Sequence, residues 1–191
     1  MNNAQGWNGK HEIFKDLISE LKPKIIVEVG SWKGQSTITI AQACKELGLG
    51  TKIYCIDTWL GALEFYTTPT PERDLEIKDG YPQVYYTFKK NIKEHDVDDI
   101  IETITLPSNL GLKYLKEKGI EADLIYIDAS HEYEDVKNDI ILARQLNPKV
   151  IFGDDYGNSV FTGVKQAVDE CPFGDKNIVD NWYWVIKCGI I

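Results

Sequence analysis

The stretch that decides the fold reads Lys24-Ile25-Ile26-Val27-Glu28-Val29-Gly30-Ser31-Trp32-Lys33-Gly34-Gln35-Ser36. Its first half is a nearly continuous run of apolar, β-branched residues, which is typical of a strand covered on both faces in a parallel sheet. Glu28 lies near the end of this run. Gly30 and Gly34 follow it, and they let the backbone turn tightly and let a ligand approach closely. The stretch therefore predicts a buried strand, a ligand-binding loop and then a helix.

The glycine spacing indicates what the loop binds. The spacing is G-x-x-x-G and not the G-x-G-x-x-G that places a pyrophosphate on a helix N-terminus. Glu28 lies inside the predicted site, where its charge would repel a phosphate. A ligand with a positive end and no phosphates fits better, and S-adenosylmethionine, with its ammonium and sulfonium groups, is such a ligand.

Composition and charge limit the classes of function. A chain of 191 residues with 43% hydrophobic and 27% charged residues predicts one globular domain over residues 1–191. The net charge of -9 disfavours nucleic acid and an anionic membrane surface as partners, and no apolar run approaches the roughly 20 residues of a membrane span. The four cysteines contain no C-x-x-C pair and residues 1–10 do not read as a signal peptide, which predicts reduced thiols in a cytoplasmic protein.

Strand and helix patterns alternate along the chain, which predicts an α/β fold with a parallel sheet. Helices are predicted over residues 11–21, 36–47, 85–95, 110–119, 133–146 and 163–170, and strands over 24–29, 52–57, 100–106, 123–128 and 149–154, with one or two more in 177–187. Residues 59–83 break this rhythm with three prolines and no clear period. They are either a tolerated surface insertion or, as we prefer, a lid over the binding edge.

Acids end four of the predicted strands, at Glu28, Asp57, Asp128 and Asp154. A single acid after a strand usually caps the next turn or helix. In an open parallel sheet, however, ligands bind beyond the carboxyl ends of the strands, where these four acids would meet. Asp57 can accept hydrogen bonds from ribose hydroxyls, as acids do in other nucleoside sites. The alternative is a turn acid, but the glycine loop favours ribose recognition.

Four segments together resemble a class I S-adenosylmethionine-dependent methyltransferase: Glu28-Val29-Gly30-Ser31-Trp32-Lys33-Gly34-Gln35-Ser36, Ile56-Asp57-Thr58-Trp59, Asp128-Ala129-Ser130-His131-Glu132-Tyr133 and Gly153-Asp154-Asp155-Tyr156. The resemblance runs over residues 6–187. It is greatest to small-molecule and sugar O-methyltransferases that share a D-x-x-H-x-Y-E segment, including macrocin-type enzymes. It implies a Rossmann-like, doubly wound, mostly parallel seven-stranded sheet of order 3-2-1-4-5-7-6, with the last strand antiparallel and helices on both faces.

The same resemblance implies which residues bind S-adenosylmethionine. It assigns Glu28, Gly30, Ser31, Gly34 and Ser36 to the methionine part, Asp57 to the ribose, Thr58 and Trp59 to the adenosine, and Ser108 and Asn109 to the adenine, with Trp32 and Asp128 also in the cofactor site. The sequence departs from the family before Ser108, since Leu106-Pro107 stands where relatives often carry a glycine.

A metal site is predicted from three carboxylates. Asp128 and Asp154 end strands that are neighbours in this topology, about 4.8 Å apart, and Asp155 follows at once. Carboxylates so close repel one another unless a cation lies among them, and hard oxygen ligands favour Mg²⁺, Mn²⁺ or Ca²⁺ over zinc. Metal-dependent members of the resembled family use the same positions. The alternative is that Asp155 caps a turn, and many class I methyltransferases use no metal.

His131 and Asp128 are the predicted catalytic residues. A histidine can remove a proton from a hydroxyl near neutral pH, and relatives place a general base at the position of His131. The expected reaction is O-methylation of a small-molecule hydroxyl, such as that of a sugar or a phenol. The alternatives are a non-catalytic S-adenosylmethionine-binding protein, a metal-independent N- or C-methyltransferase, and a nucleotide-dependent oxidoreductase. Apolar chain ends favour a homo-oligomer.

Overall fold

The computed structural model describes residue 6 and residues 9–189. The prediction for the start of the chain and the predicted domain range extend into residues 1–5, 7–8 and 190–191, which lie outside the described residues. The strands are β1 (Ile25–Val29), β2 (Lys52–Asp57), β3 (Ile101–Thr105), β4 (Leu124–Ile127), β5 (Val150–Gly153), β6 (Asp175–Val179) and β7 (Tyr183–Lys187). The α-helices are α1 (Ile13–Leu21), α2 (Gln35–Glu46), α3 (Leu63–Thr67), α4 (Val84–Glu94), α5 (Ser108–Glu117), α6 (Tyr133–Arg144) and α7 (Thr162–Asp169).

The strands form one seven-stranded sheet of order β3-β2-β1-β4-β5-β7-β6, which confirms the predicted topology. All pairings are parallel except those of β7, which runs antiparallel to β5 and β6. Val29 pairs with Ile56 on one side and with Ile127 on the other, and Ile127 pairs with Gly153. This register aligns the carboxyl ends of β1, β2, β4 and β5, so the residues that follow them share one edge.

Helices cover both faces of the sheet. Alternate residues of β1 enter different cores, since Ile26 belongs to one apolar cluster and Val27 to the other, and both are fully buried. Residues of α1, α2 and α4 fill the first cluster, and residues of α5, α6 and α7 fill the second. Burying one such side chain contributes about 1.5–3 kcal/mol, which explains why the β1 run reads as apolar without alternation.

Residues 59–83 contain more structure than their sequence pattern predicts. They include α3, a short 3₁₀ helix (Pro71–Arg73) and an isolated bridge between Lys78 and Tyr81. Leu75 is buried in the first apolar cluster, and its carbonyl accepts a hydrogen bond from the Gln83 N–H at 2.9 Å. The segment is therefore anchored at its C-terminal half, next to α4.

Two further predictions concern the chain as a whole. The cysteines at positions 44, 55, 171 and 188 are buried free thiols, as expected. Within the described residues, none of the helices combines the length and apolar character needed to cross a bilayer.

Candidate active site

The loop after β1 is shaped by glycine. Gly30 has φ +87°, and a Cβ there would lie 2.0 Å from the carbonyl oxygen of Asp128. Only glycine fits this close crossing between the ends of β1 and β4. Gly34, with φ +94°, stands at the N-cap of α2, which begins at Gln35, one residue earlier than predicted. The predicted strand, loop and helix are thus present in the expected order.

Glu28 organises this loop from inside the protein. Its carboxylate is fully buried and accepts hydrogen bonds from the hydroxyls of Ser31 and Ser36, each at 2.6 Å, and from the Thr37 hydroxyl and the Cys55 thiol. Burial raises the pKa of Glu28, and the four donors oppose that rise. A direct contact between Glu28 and a ligand stays a prediction. The role that the structure adds is to tie the loop to α2 and β2.

Asp57 holds the same loop through its backbone. One carboxylate oxygen accepts from the N–H groups of Ser31 at 2.9 Å and Trp32 at 2.8 Å, and the other accepts from the Trp59 N–H at 2.7 Å. The pKa of Asp57 is raised by burial, against the effect of these N–H donors. The Thr58 backbone also hydrogen-bonds this carboxylate, so a ligand hydroxyl would have to share an oxygen with these donors, since a carboxylate has about four acceptor positions. Thr58 lies in the turn that follows, and its hydroxyl accepts a backbone N–H.

The insertion, residues 59–83, packs on the glycine loop. The indole N–H of Trp59 donates to the Trp32 carbonyl at 2.9 Å, and the Trp32 ring meets Phe65 edge-on with 4.8 Å between centroids. Lys33, whose side chain is 2% exposed, forms an ion pair with Glu76 at 3.0 Å. The predicted lid and the predicted cofactor loop are therefore in direct contact.

The predicted adenine contacts lie at the start of a helix. Ser108 and Asn109 form the first turn of α5, which begins two residues earlier than predicted. Behind them lies Asp139 of α6, which is 1% exposed and whose carboxylate oxygens make no hydrogen bond of good geometry within the described part of the chain. Burial raises the pKa of Asp139 to about 7, and the neighbouring Ser108 hydroxyl lowers it less than burial raises it. Sequence reasoning missed Asp139, although an acid between Val136 and Ala143 on an apolar helix face is a visible signal.

Two carboxylates meet at the ends of β4 and β5. Half-buried Asp128 lies beside buried Asp154, and desolvation followed by the charge of Asp154 raises the pKa of Asp128 well above its usual value. The Tyr126 hydroxyl donates to Asp128 at 3.2 Å. Burial, followed by the charge of Asp155, raises the pKa of Asp154 to about 7. Like charges forced together disfavour full ionisation of the pair.

His131 completes the cluster. Its Nε2 lies 3.0 Å from a carboxylate oxygen of Asp155, and its ring stacks on Phe161 with 3.8 Å between centroids and 9° between planes. One ligand atom each from Asp128, His131 and Asp155 fall within 4.8 Å of one another. Within the described residues, this group contains His131 where the sequence predicted Asp154. A cavity of about 10 Å³ beside Asp128 and His131 is about the size of one water molecule.

The strand order β3-β2-β1-β4-β5-β7-β6, with the glycine loop and the acids at its carboxyl edge, is that of a class I S-adenosylmethionine-dependent methyltransferase. Comparison with known proteins supports this assignment. A family model described as a methyltransferase domain matches residues 27–156, more than half of the chain. The chain therefore belongs to that methyltransferase family, which confirms the resemblance.

Solved structures share the fold at low sequence identity. Cofactor-bound Rv0187 from MTB has 17% identity and a TM-score of 0.69, over 99% of this chain and 84% of that one. The O-methyltransferase TomG from Streptomyces achromogenes, in complex with S-adenosylmethionine, has 16% identity and a TM-score of 0.65, over 95% of this chain and 79% of that one. An O-methyltransferase from Bacillus cereus, in complex with S-adenosylhomocysteine, has 15% identity and a TM-score of 0.63, over 97% and 84%.

A curated relative, the uncharacterized protein y4gI of Sinorhizobium fredii, is 28% identical over 125 residues. These residues are 64% of this chain, but the chain spans only 12% of the length of that protein.

Proposed function

We propose that the protein is an S-adenosylmethionine-dependent methyltransferase that methylates a hydroxyl of a small molecule, such as a sugar or a phenol. The observation that carries this proposal is the juxtaposition at one sheet edge of the glycine loop, Asp57 and the Asp128–His131–Asp155 cluster. The first two suit a nucleoside with a positive end, and the cluster suits activation of a hydroxyl. The net charge of -9 supports a small-molecule acceptor over nucleic acid or an anionic membrane surface.

The residues at the edge of β1 and β2 fit the methyl donor. The close crossing at Gly30 brings the ends of β1 and β4 together, and the Asp57 carboxylate beside them would accept from a ribose hydroxyl on an oxygen that it shares with backbone donors. Ser108 and Asn109 would lie at the adenine. S-adenosylmethionine, when bound, supplies the activated methyl group on its sulfonium. Much of the rate enhancement would come from holding acceptor and donor in line.

The residues at the edge of β4 and β5 fit a divalent cation. Asp128, Asp154 and Asp155 would hold Mg²⁺, Mn²⁺ or Ca²⁺ through their carboxylate oxygens. Desolvation, followed by repulsion from Asp154, raises the pKa of Asp128, and a cation would remove the repulsion. A bound ion would stabilise a deprotonated hydroxyl as a Lewis acid.

His131 is the proposed general base for the acceptor hydroxyl. Because Nε2 meets Asp155, the second ring nitrogen, Nδ1, is the atom that would accept the proton. Asp155 would then orient the ring and stabilise the protonated imidazole, as carboxylates do for other histidine bases.

Calorimetric titration of S-adenosylhomocysteine into the wild type and into Asp57→Ala tests the donor half. We expect micromolar binding to the wild type and at least about tenfold weaker binding to the variant, the effect of one charge-assisted hydrogen bond and a loosened loop. Asp98→Ala, at an exposed carboxylate near β3, is the control. Equal affinities for the wild type and Asp57→Ala would reject the ribose assignment, and an absence of binding to the wild type would reject the proposed function.

The acceptor half is tested by methyl transfer from labelled S-adenosylmethionine to a panel of sugars, phenols and amines, with and without EDTA. We expect a hydroxyl compound to be labelled, with loss of transfer in His131→Ala. Transfer to amines alone would favour the N-methyltransferase, and EDTA-resistant transfer would remove the metal from the proposal.

A further inference from the structure

The first turn of α7 packs against the segment that carries His131. Phe161, the residue before α7, lies with its ring parallel to the imidazole, 3.8 Å away and tilted by only 9°. Neither ring is fully buried, and Phe161 also packs against the edge of the second apolar cluster, which fixes its own ring.

Gly163 lets this turn approach so closely. A Cβ at Gly163 would lie 2.6 Å from the carbonyl oxygen of His131 and 2.6 Å from the backbone nitrogen of Tyr133. Real Cβ atoms do not reach such distances, so any larger residue would push α7 away from the His131 segment. Val164, 3% exposed in the second apolar cluster, holds the same turn in place. The turn therefore contacts both the ring and the backbone of His131.

His131 needs such a contact because little else fixes its ring. Residues 128–132 have no regular secondary structure. The contact between Nε2 and Asp155 constrains one atom and leaves the ring able to turn about that contact and about its own side-chain torsions. A ring stacked face to face removes this rotation, because only one plane keeps both contacts.

We propose that Phe161 is a positioning residue that holds the His131 imidazole in one plane beside Asp155, and that Gly163 makes this possible. The inference rests on the proposed role of His131 as general base, which needs a free ring nitrogen at a fixed place. Phe161 acts through His131 and is not itself a catalytic residue.

The order of the ring can be read by ¹H–¹³C NMR relaxation of the imidazole groups, since the chain has only three histidines. The sample is the full chain saturated with S-adenosylhomocysteine, and His131→Gln assigns the signals. We expect the His131 ring of the wild type to be as ordered as rigid backbone, with an order parameter of about 0.85. In Phe161→Leu we expect the order parameter to fall to about 0.6 or below, the range of a flexible group.

Matched variants separate positioning from general loss of structure. Phe161→Tyr keeps the stack and is expected to keep the wild-type order of the His131 ring, whereas Gly163→Ala is expected to behave like Phe161→Leu. Val160→Ala changes the exposed neighbouring residue and is the control. S-adenosylhomocysteine affinity should be unchanged in all of them. A folded Phe161→Leu with the wild-type order of the His131 ring would overturn the positioning role, whereas absent cofactor binding in the wild type would overturn only the proposed function.

Discussion

The buried carboxylate of Asp139 should make this protein less stable as the pH rises, and Asp139→Asn should remove that dependence. The pKa of Asp139 is raised by burial from 3.8 to about 7. Below pH 3.8 both the folded and the unfolded chain hold the proton, so burial carries no ionisation cost. Between the two values only the folded chain keeps it, and the stability falls with rising pH. Above about pH 7 the folded chain loses the proton too, and the whole free-energy cost of burying the ionised carboxylate then lowers the stability.

The size of the effect follows from the two pKa values. One pH unit of difference corresponds to about 1.4 kcal/mol, so the ionised Asp139 costs up to about 4 kcal/mol at pH 8. The asparagine side chain of the variant has nearly the same shape as the neutral acid and cannot ionise. The free energy of unfolding of the variant should therefore match the wild type near pH 4 and exceed it by a few kcal/mol at pH 8, a large share of a typical 5–15 kcal/mol.

Urea denaturation of both proteins across about pH 4–8, followed by circular dichroism, measures this difference. Other titrating groups, including Asp128 and Asp154, contribute to both proteins and cancel in the comparison as long as they lie far from Asp139. Asp16→Asn, on the exposed face of α1, makes the same chemical change without burial and should show a difference that is small at every pH. A difference for Asp139→Asn that is constant with pH, or that shrinks as the pH rises, would refute the assignment.

Three other substitutions have expected outcomes. Gly30→Ala should destabilise the fold by about 3 kcal/mol or more, measured by urea denaturation, because its Cβ would meet the Asp128 carbonyl; a stable variant with intact cofactor binding would contradict this. Glu28→Gln should lower thermal stability by about 2–3 kcal/mol, since an amide replaces one of the acceptor oxygens for the buried hydroxyls, and an unchanged melting curve would argue against it. Glu76→Gln should increase protease cleavage within residues 59–83, because buried Lys33 loses its ion-pair partner. The double change Lys33→Met with Glu76→Gln is expected to reverse that increase, and equal cleavage rates in all three proteins would exclude a role for the pair.

Much of the fold was predictable because its signals are local. The apolar, β-branched run of β1 needs no knowledge of its neighbours to be recognised as a strand buried on both faces. The alternation of strand and helix, with acids at the strand ends, then predicts which residues share the carboxyl edge. The ends of helices were harder to predict where a turn-forming residue interrupts the hydrophobic periodicity. Pro107 at the N-cap starts α5 at Ser108 and so places the two predicted adenine contacts in its first turn.

The detailed chemistry of the site depends on long-range contacts that no spacing reveals. The donors to Glu28 come from the loop, α2 and β2, and Cys55 is 27 residues away in sequence. The adjacent acids Asp154 and Asp155 were predicted to act together. Asp155 has φ +60°, a left-handed conformation that separates the two side chains, so that one packs with Asp128 and the other meets His131.

That separation gives the two acids different expected roles. Buried Asp154 and half-buried Asp128 repel each other at close range, which favours a shared proton or a cation between them. Asp155 instead has a histidine partner and a stacked ring behind that partner. In the predicted methyl-donor half of the site, Glu28 and Asp57 accept most of their hydrogen bonds from groups of the protein itself. Glu28 and Asp57 therefore first build the glycine loop of the site, which leaves few of their acceptor positions for a ligand.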